Sequence, residues 1–231
     1  MKVKLVSYSK PSREFASEGV YDVQDLIAYC ARVSNPSNQL NMETGEKLIR
    51  YLIKHKHWSP LEMASACLEI TTTRDIARQI LRHRSFSFQE FSQRYADPTK
   101  DLDFEIREAR LQDLKNRQNS IAIDLANDEA RELNKLWIEK QQELIRLAKD
   151  TYTWAVTNGI AKEQARAVLP EGNTVSRMYM NGTLRSWVHY IELRSANGTQ
   201  LEHIEIAKAC AKVIVEAFPM IEEFTGGEKQ G

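Results

Sequence analysis

The chain has 231 residues, and its 32 Lys+Arg balance 32 Asp+Glu for a formal net charge of zero. That balance argues against a protein whose main business is duplex DNA or RNA, which calls for excess positive charge, and the length supports a core that needs neither disulfide nor structural metal. Cys30, Cys67 and Cys210 are scattered, with no Cys-x-x-Cys pair, and read as reduced thiols of a cytoplasmic protein; no secretory leader is expected at Met1–Ser9, and no stretch approaches the roughly 20 apolar residues of a bilayer span.

Lys2 to Ser9 sets Val3, Leu5 and Val6 against Lys2, Lys4 and Ser7 and predicts a first strand. Asp22 caps a helix running to about Val33, with Leu26, Ile27 and Cys30 inside. Asn35-Pro36-Ser37-Asn38 is a turn cluster, and a second helix, about Thr44 to His55, carries Leu48, Ile49, Leu52 and Ile53 at core spacing. In His57-Trp58-Ser59-Pro60-Leu61-Glu62, Ser59 as N-cap and Glu62 three residues later form a capping box, with Pro60 at the first helical position. Such a helix start also offers free N–H groups to an anion. Cys67 to Thr73 reads as a strand that feeds a helix beginning at Arg74.

From Arg74 to Tyr95 the chain holds Arg74, Arg78, Arg82, Arg84 and Arg94 and no lysine. Ile76, Ile80 and Leu81 supply an apolar side, and Arg74, Arg78 and Arg82 recur every four residues on one helix face; Gln79 and His83 form a second polar pair at that spacing. Ser85 to Phe91 then alternates, with Phe86 and Phe88 in a strand or extended loop. Such a run is either a solvated basic face or a site where guanidinium groups grip phosphate or carboxylate in planar, bidentate fashion. Two features favour the second reading: the arginines continue past the helix beside Ser87, Glu90 and Ser92, and His83 lies between two arginines that hold it neutral.

Asp97-Pro98 marks a turn, and Phe104 to Leu111 is read as a strand. From about Asp124 to Thr157 a charged amphipathic helix repeats Leu133, Leu136/Trp137, Leu144, Leu147/Ala148 and Ala155 at three-to-four spacing. Its thirty-odd residues span about 45 Å, enough to leave part of it for another subunit. Ile160 to Leu169 reads as a short helix bearing Arg166, Glu171-Gly172-Asn173 as a turn, Val175 to Met180 as a strand, and Asn181-Gly182 as a turn. The helix from Thr183 to Arg194 turns Leu184, Trp187, Val188 and Ile191 inward and sets Arg185 and His189 on one side. Asn197-Gly198 breaks the chain before a last core helix, Leu201 to Phe218, and Gly226–Gly231 is expected to fray. The fold class is therefore α+β, a mostly antiparallel sheet flanked by helices. It forms one domain over residues 1–231, with the 124–157 helix as an excursion.

No His/Cys/Asp/Glu set has metal-ligand spacing: His55 and His57 are two apart, and His203 lies between Glu202 and Glu205. The cysteines sit in apolar patterns where thiols are inert, and no Gly-x-Ser-x-Gly elbow surrounds Ser87 or Ser92. With no glycine-rich phosphate loop, any nucleotide must be held by side chains, chiefly arginines.

Arg82-His83-Arg84, seven residues, then Ser92-Gln93-Arg94 resembles the signature of the flavin-dependent thymidylate synthases. His57-Trp58-Ser59-Pro60-Leu61-Glu62, Ala165-Arg166-Ala167-Val168-Leu169-Pro170, and Thr183-Leu184-Arg185-Ser186-Trp187 through Leu193-Arg194 resemble three further blocks of that family, in order, over roughly residues 20–215. The resemblance implies reductive methylation of deoxyuridylate to thymidylate, with methylenetetrahydrofolate as carbon donor and FAD reduced by NADPH, in a homotetramer whose active sites lie between subunits. It implies FAD contacts from Ser59, Arg82, His83, Arg84, Glu90, Thr183, Arg185 and His189. Deoxyuridylate contacts are implied for Gln79, Arg82, Glu90, Phe91, Ser92, Gln93, Arg94, Arg166 and Arg194, with Arg194 as the catalytic group beside the uracil ring. The chain departs from the family pattern in carrying Thr183 for a usual Asn, His189 where some members have Asn, Gly198 where many have His, and Gln89 for a common Asn. The competing reading is a nucleotide or single-stranded nucleic-acid binding module built on segment 82–95, without catalysis.

Overall fold

A computed structural model describes residues 1–224; the tail expected to fray, Gly226–Gly231, lies outside them. In chain order the elements are β1 (Lys2–Tyr8), α1 (Arg13–Ser17), α2 (Val23–Ala31), α3 (Gly45–Lys54), β2 (Ser65–Thr73), α4 (Arg74–Ile80), β3 (Ser87–Glu90) and α5 (Pro98–Asp101). Then follow the hairpin β4 (Arg110–Gln112) and β5 (Ser120–Ala122), α6 (Asp128–Thr157), α7 (Lys162–Ala165), β6 (Val175–Thr183), α8 (Leu184–Arg194) and α9 (Leu201–Ile214). β1, β2, β6 and β3 form one sheet in the order β1-β2-β6-β3, every neighbouring pair antiparallel. The expected α+β architecture is what the chain adopts.

The sheet exists because its strands alternate. Ala66, Leu68 and Ile70 of β2 stand opposite Gly182, Met180 and Met178 of β6 on the inner face. There they pack against Trp187, Val188 and Ile191 of α8 and Ile206, Cys210 and Ile214 of α9. Each such large apolar side chain contributes about 1.5–3 kcal/mol on burial. The outer face carries Glu69, Thr71, Arg177 and Tyr179, with the Tyr179 hydroxyl donating to Glu69 at 3.0 Å. Trp187 is wholly buried, and its indole N–H is satisfied by the Ala66 carbonyl at 3.0 Å, as a buried donor requires.

β2 and β6 pair over their full length, from Ser65 opposite Thr183 to Thr73 opposite Val175. Each strand ends in an extended threonine, Thr73 or Thr183, and passes directly into a helix. The junctions mirror one another: Arg74 N–H donates to the Thr174 carbonyl, and Leu184 N–H to the Ala64 carbonyl, both at 2.9 Å. α4 and α8 are thus launched from opposite ends of one strand pair.

Several expectations hold, among them the Asp22 cap, whose carboxylate accepts from Asp25 N–H at 2.8 Å, and the long helix α6. Others are corrected. Asn181-Gly182 is the interior of β6; the Phe86 ring lies so close that a Cβ on Gly182 would meet its Cδ1 at 2.4 Å, so glycine serves contact there and not a turn. Ser59 caps no helix: residues 59–63 form a 3-10 turn whose N-cap position is Trp58, with no side-chain cap bond, and the Glu62 carboxylate accepts from Arg185 instead. The helix from Arg74 stops at Ile80, because Arg82 and His83 N–H groups turn back to the carbonyls of Gln79 and Ile80 three residues earlier. Arg82 therefore leaves the face it was expected to share with Arg74 and Arg78. Of the expected strand 104–111, only a bridge from Phe104 to Thr174 and the start of β4 form. The 160–169 helix shrinks to α7 and one 3-10 turn, and the last helix ends at Ile214. Among the described residues no helix is long and apolar enough to cross a membrane.

Candidate active site

α4 and α8 meet past the end of α4. The Arg194 guanidinium, in the last turn of α8, donates its Nε–H to Nε2 of His83 at 2.9 Å. His83 also meets the edge of the Tyr190 ring, centroids 4.8 Å apart. Burial first, then the Arg194 and Arg82 charges, bring the His83 pKa down from 6.5 to about 4. The imidazole is neutral at working pH, and because Nε2 accepts, its proton resides on Nδ1. Arg194 sits favourably at the negative end of α8 and keeps its two Nη groups for other acceptors.

Arg82 and Arg84 flank His83, both exposed, and among the described residues neither guanidinium has a hydrogen bond or an ion pair. Thr183 adjoins them through one intermediary: its hydroxyl caps α8 by accepting from Ser186 N–H at 3.3 Å, and the Ser186 hydroxyl donates to the Ser85 carbonyl at 3.2 Å. Gln79, one turn before Arg82, meets Gln200 at 2.8 Å and His203 at 3.2 Å.

The remaining expected site residues fall into three further sets. Glu90 is engaged inside the chain: it pairs with Arg78, lies 3.8 Å from Arg74, and accepts from Ser176 at 2.8 Å. Arg94 and Arg166 both approach Glu163, Arg94 at its carboxylate (3.5 Å) and Arg166 at its carbonyl (3.3 Å). Just before Arg94 come Phe91, whose N–H donates to the Arg177 carbonyl at 2.8 Å, Ser92, whose hydroxyl accepts from Arg94 N–H at 3.4 Å, and Gln93, buried with its amide nitrogen unpartnered among the described residues. In the third set, Arg185 pairs with Glu62 and His189 stacks edge-on against Trp58 at 4.4 Å, so both face the segment that carries Ser59. No hydrogen bond or ion pair among the described residues joins Arg166 or Arg185 to Arg194.

One part of the site was not expected. His203 and Glu202, at the start of α9, are buried; His203 meets Gln79 directly through Nδ1 at 3.2 Å and Tyr190 through Nε2, while Glu202 reaches Gln79 through Gln200 and pairs with Arg110. The signal was present: His203 precedes Ile206, Ala207 and Cys210 on an otherwise apolar stripe, where a polar side chain must find partners.

Unpaired guanidinium groups beside a neutral imidazole, on a chain without a glycine-rich phosphate loop, define a site of the class that takes a planar, anionic ligand through side chains. Residues 19–220 match the thymidylate synthase complementing protein family. The chain is 48% identical over 221 residues to a probable flavin-dependent thymidylate synthase of Paramecium bursaria Chlorella virus 1, covering 96% of this chain and 97% of that one. It is 46% identical over 222 residues to the flavin-dependent thymidylate synthase of Synechocystis sp., again over 96% and 97%. In fold it resembles the UMP/dUMP methylase PolB of Streptomyces cacaoi, solved with 5-Br dUMP, at a TM-score of 0.71 and 23% identity over 96% of this chain and 93% of that one. The chain belongs to the thymidylate synthase complementing protein family, the flavin-dependent thymidylate synthases.

Proposed function

We propose that this protein is a flavin-dependent thymidylate synthase, a methyltransferase that converts deoxyuridylate to thymidylate with methylenetetrahydrofolate as carbon donor and FAD reduced by NADPH. The observation that carries the reading is the free guanidinium pair Arg82 and Arg84 beside the His83–Arg194 hydrogen bond.

The donor set fits the cofactor. Arg82, Arg84 and Arg185 offer planar donors to a pyrophosphate; Ser59, His83, Glu90, Thr183 and His189 complete the FAD contacts in this reading. FAD, when bound, supplies the reducing equivalents, chemistry that belongs to the cofactor. The chain's own residues bind and orient. Gln79, Arg82, Arg166 and the Glu90–Arg94 segment hold deoxyuridylate, and the partnerless Gln93 amide is a donor of the kind a ligand satisfies. Arg194, permanently cationic, stabilises negative charge developing on the uracil ring without accepting a proton. His83 accepts from Arg194 and so orients the guanidinium. The thiols do not enter: burial raises the pKa of Cys30, Cys67 and Cys210 alike.

The reading includes a homotetramer with shared sites. Its support is that, among the described residues of one chain, no hydrogen bond or ion pair joins Arg166 or Arg185 to Arg194, and that Leu133, Leu136, Trp137, Leu144, Leu147 and Trp154 on α6 are exposed. It also takes residues 1–231 as one domain, supported by the span of the family match, and a cytoplasmic location, supported by the sparse free thiols. The test is direct. The purified protein should be yellow with bound FAD and should release tritium from deoxyuridylate labelled at position five. A colourless protein that takes up no FAD and releases no tritium overturns the reading.

A further inference from the structure

The hydrogen bonds around Gln79 run in one line, and their direction is fixed from one end. Glu202 is paired with Arg110, whose Nη2 donates to Oε1 at 2.6 Å, and Arg107 stands 3.9 Å from the same oxygen. A carboxylate only accepts, so Gln200 must donate its Nε2–H to Glu202 Oε2, at 2.9 Å. That turns the Gln200 carbonyl oxygen toward Gln79, which must then donate from Nε2, at 2.8 Å. The Gln79 oxygen is left facing Nδ1 of His203 at 3.2 Å. An amide oxygen only accepts, so the His203 proton sits on Nδ1, and Nε2 accepts the Tyr190 hydroxyl proton at 3.0 Å. The reverse polarity would press the Gln200 oxygen against a Glu202 oxygen, two acceptors with no proton between them.

We propose that His203 is a positioning residue for the substrate-contacting amide of Gln79, and that Glu202, acting through Gln200, sets which way that amide faces. The inference rests on the reading of Gln79 as a deoxyuridylate contact. One Nε2–H and one lone pair of Gln79 are consumed in the line; the other N–H and lone pair are presented to the ligand in a fixed arrangement. His203 is fully buried, on a helix stripe where an aliphatic side chain would pack as well. What an aliphatic residue lacks is a donor at Nδ1, and Gln79 would then be free to rotate. The line also borders the Arg194 pair, since Tyr190 touches His83 and the two imidazole centroids lie 6.4 Å apart.

The test compares His203→Leu with His203→Asn, whose Nδ2–H can occupy the place of Nδ1–H. In the flavin-loaded enzyme, His203→Leu is expected to raise the KM for deoxyuridylate about fivefold to tenfold, the worth of one hydrogen bond, with kcat changed less than about twofold. His203→Asn is expected to restore KM to within about twofold of the unaltered enzyme. An unchanged KM in His203→Leu, or an equal rise in both variants, overturns the proposal, since packing alone would then explain the residue. Should neither variant fold, the ring protons of nitrogen-15-labelled histidine in the unaltered protein decide. A proton on Nδ1 of His203 supports the proposal, and one on Nε2 overturns it. If the unaltered protein makes no thymidylate, the functional reading fails, and the ring measurement still judges the direction of the line.

Discussion

Arg194 reaches His83 across the gap between α8 and the turn after α4, and gives its Nε–H to the imidazole Nε2. That single bond fixes the plane of the guanidinium and the tautomer of the imidazole together. Replacement of Arg194 by alanine is expected to lower turnover by about 10²–10³-fold, the usual cost of removing one preorganised charge donor. Arg194→Lys should rescue little, because an ammonium cannot hold His83 and present two further donors in one plane. Thymidylate formation, with circular dichroism to verify the fold, checks both. An alanine variant that keeps a tenth or more of the activity removes Arg194 from its role.

The two inner histidines make the fold sensitive to acid. Burial, then the Arg194 and Arg82 charges, place His83 at about 4; burial, then Arg194 and His83, place His203 at about 3, both against an ordinary 6.5. As pH falls through 6.5 the unfolded chain takes up protons that the fold refuses until about 4 and about 3. The stability they contribute is therefore complete above 6.5 and lost progressively below it. The melting temperature should fall between about pH 7 and pH 5, with a shallower slope in His203→Leu. A flat profile over that range contradicts the assignment.

Arg84 stands exposed with no ion pair among the described residues, so Arg84→Ala should change folding stability by no more than about 0.5 kcal/mol. It should nevertheless lower the FAD retained through gel filtration. Stoichiometric flavin in the variant would show that Arg84 does not hold the pyrophosphate.

Gly182→Ala tests the sheet where the Phe86 ring lies on β6. The new methyl would sit 2.4 Å and 2.6 Å from two ring carbons, and the forced shift should cost about 1–3 kcal/mol. At about 2–4 °C per kcal/mol for a chain of this size, the loss is readable by calorimetry. A second change, Phe86→Leu, should recover part of it. An unaltered melting temperature would mean that the ring yields freely.

What the chain wrote locally, it wrote plainly. The alternation in 67–73 and 175–180, the Asp22 cap, and the Arg185/His189 spacing are short-range signals, and each appears in the fold. The arginine segment announced a site because its residue types were unusual, not because their partners were visible. What stayed hidden depended on contacts distant in sequence. Asn181-Gly182 has turn chemistry, yet the nearby Phe86 ring makes glycine necessary inside a strand. Glu62 looked like half of a cap because nothing local reveals Arg185, 123 residues away. His203 lacks metal-ligand spacing and shows no local partner, because its link to Gln79 spans 124 residues. Which chain supplies Arg166 to a given site depends on assembly, and no periodicity encodes that.

The paired strands β2 and β6 carry one more implication. Because α4 and α8 depart from opposite ends of the same nine-rung ladder, the ladder works as a gauge for the spacing of the two arginine-bearing ends. Slipping one strand by two residues would slide its helix about 7 Å along the sheet, more than twice the reach of the bond between Arg194 and His83. The spacing of His83 and Arg194 is thus metered by backbone pairing far beneath it, and a two-residue insertion in either strand is expected to break their bond while leaving every side chain of the candidate site in the sequence.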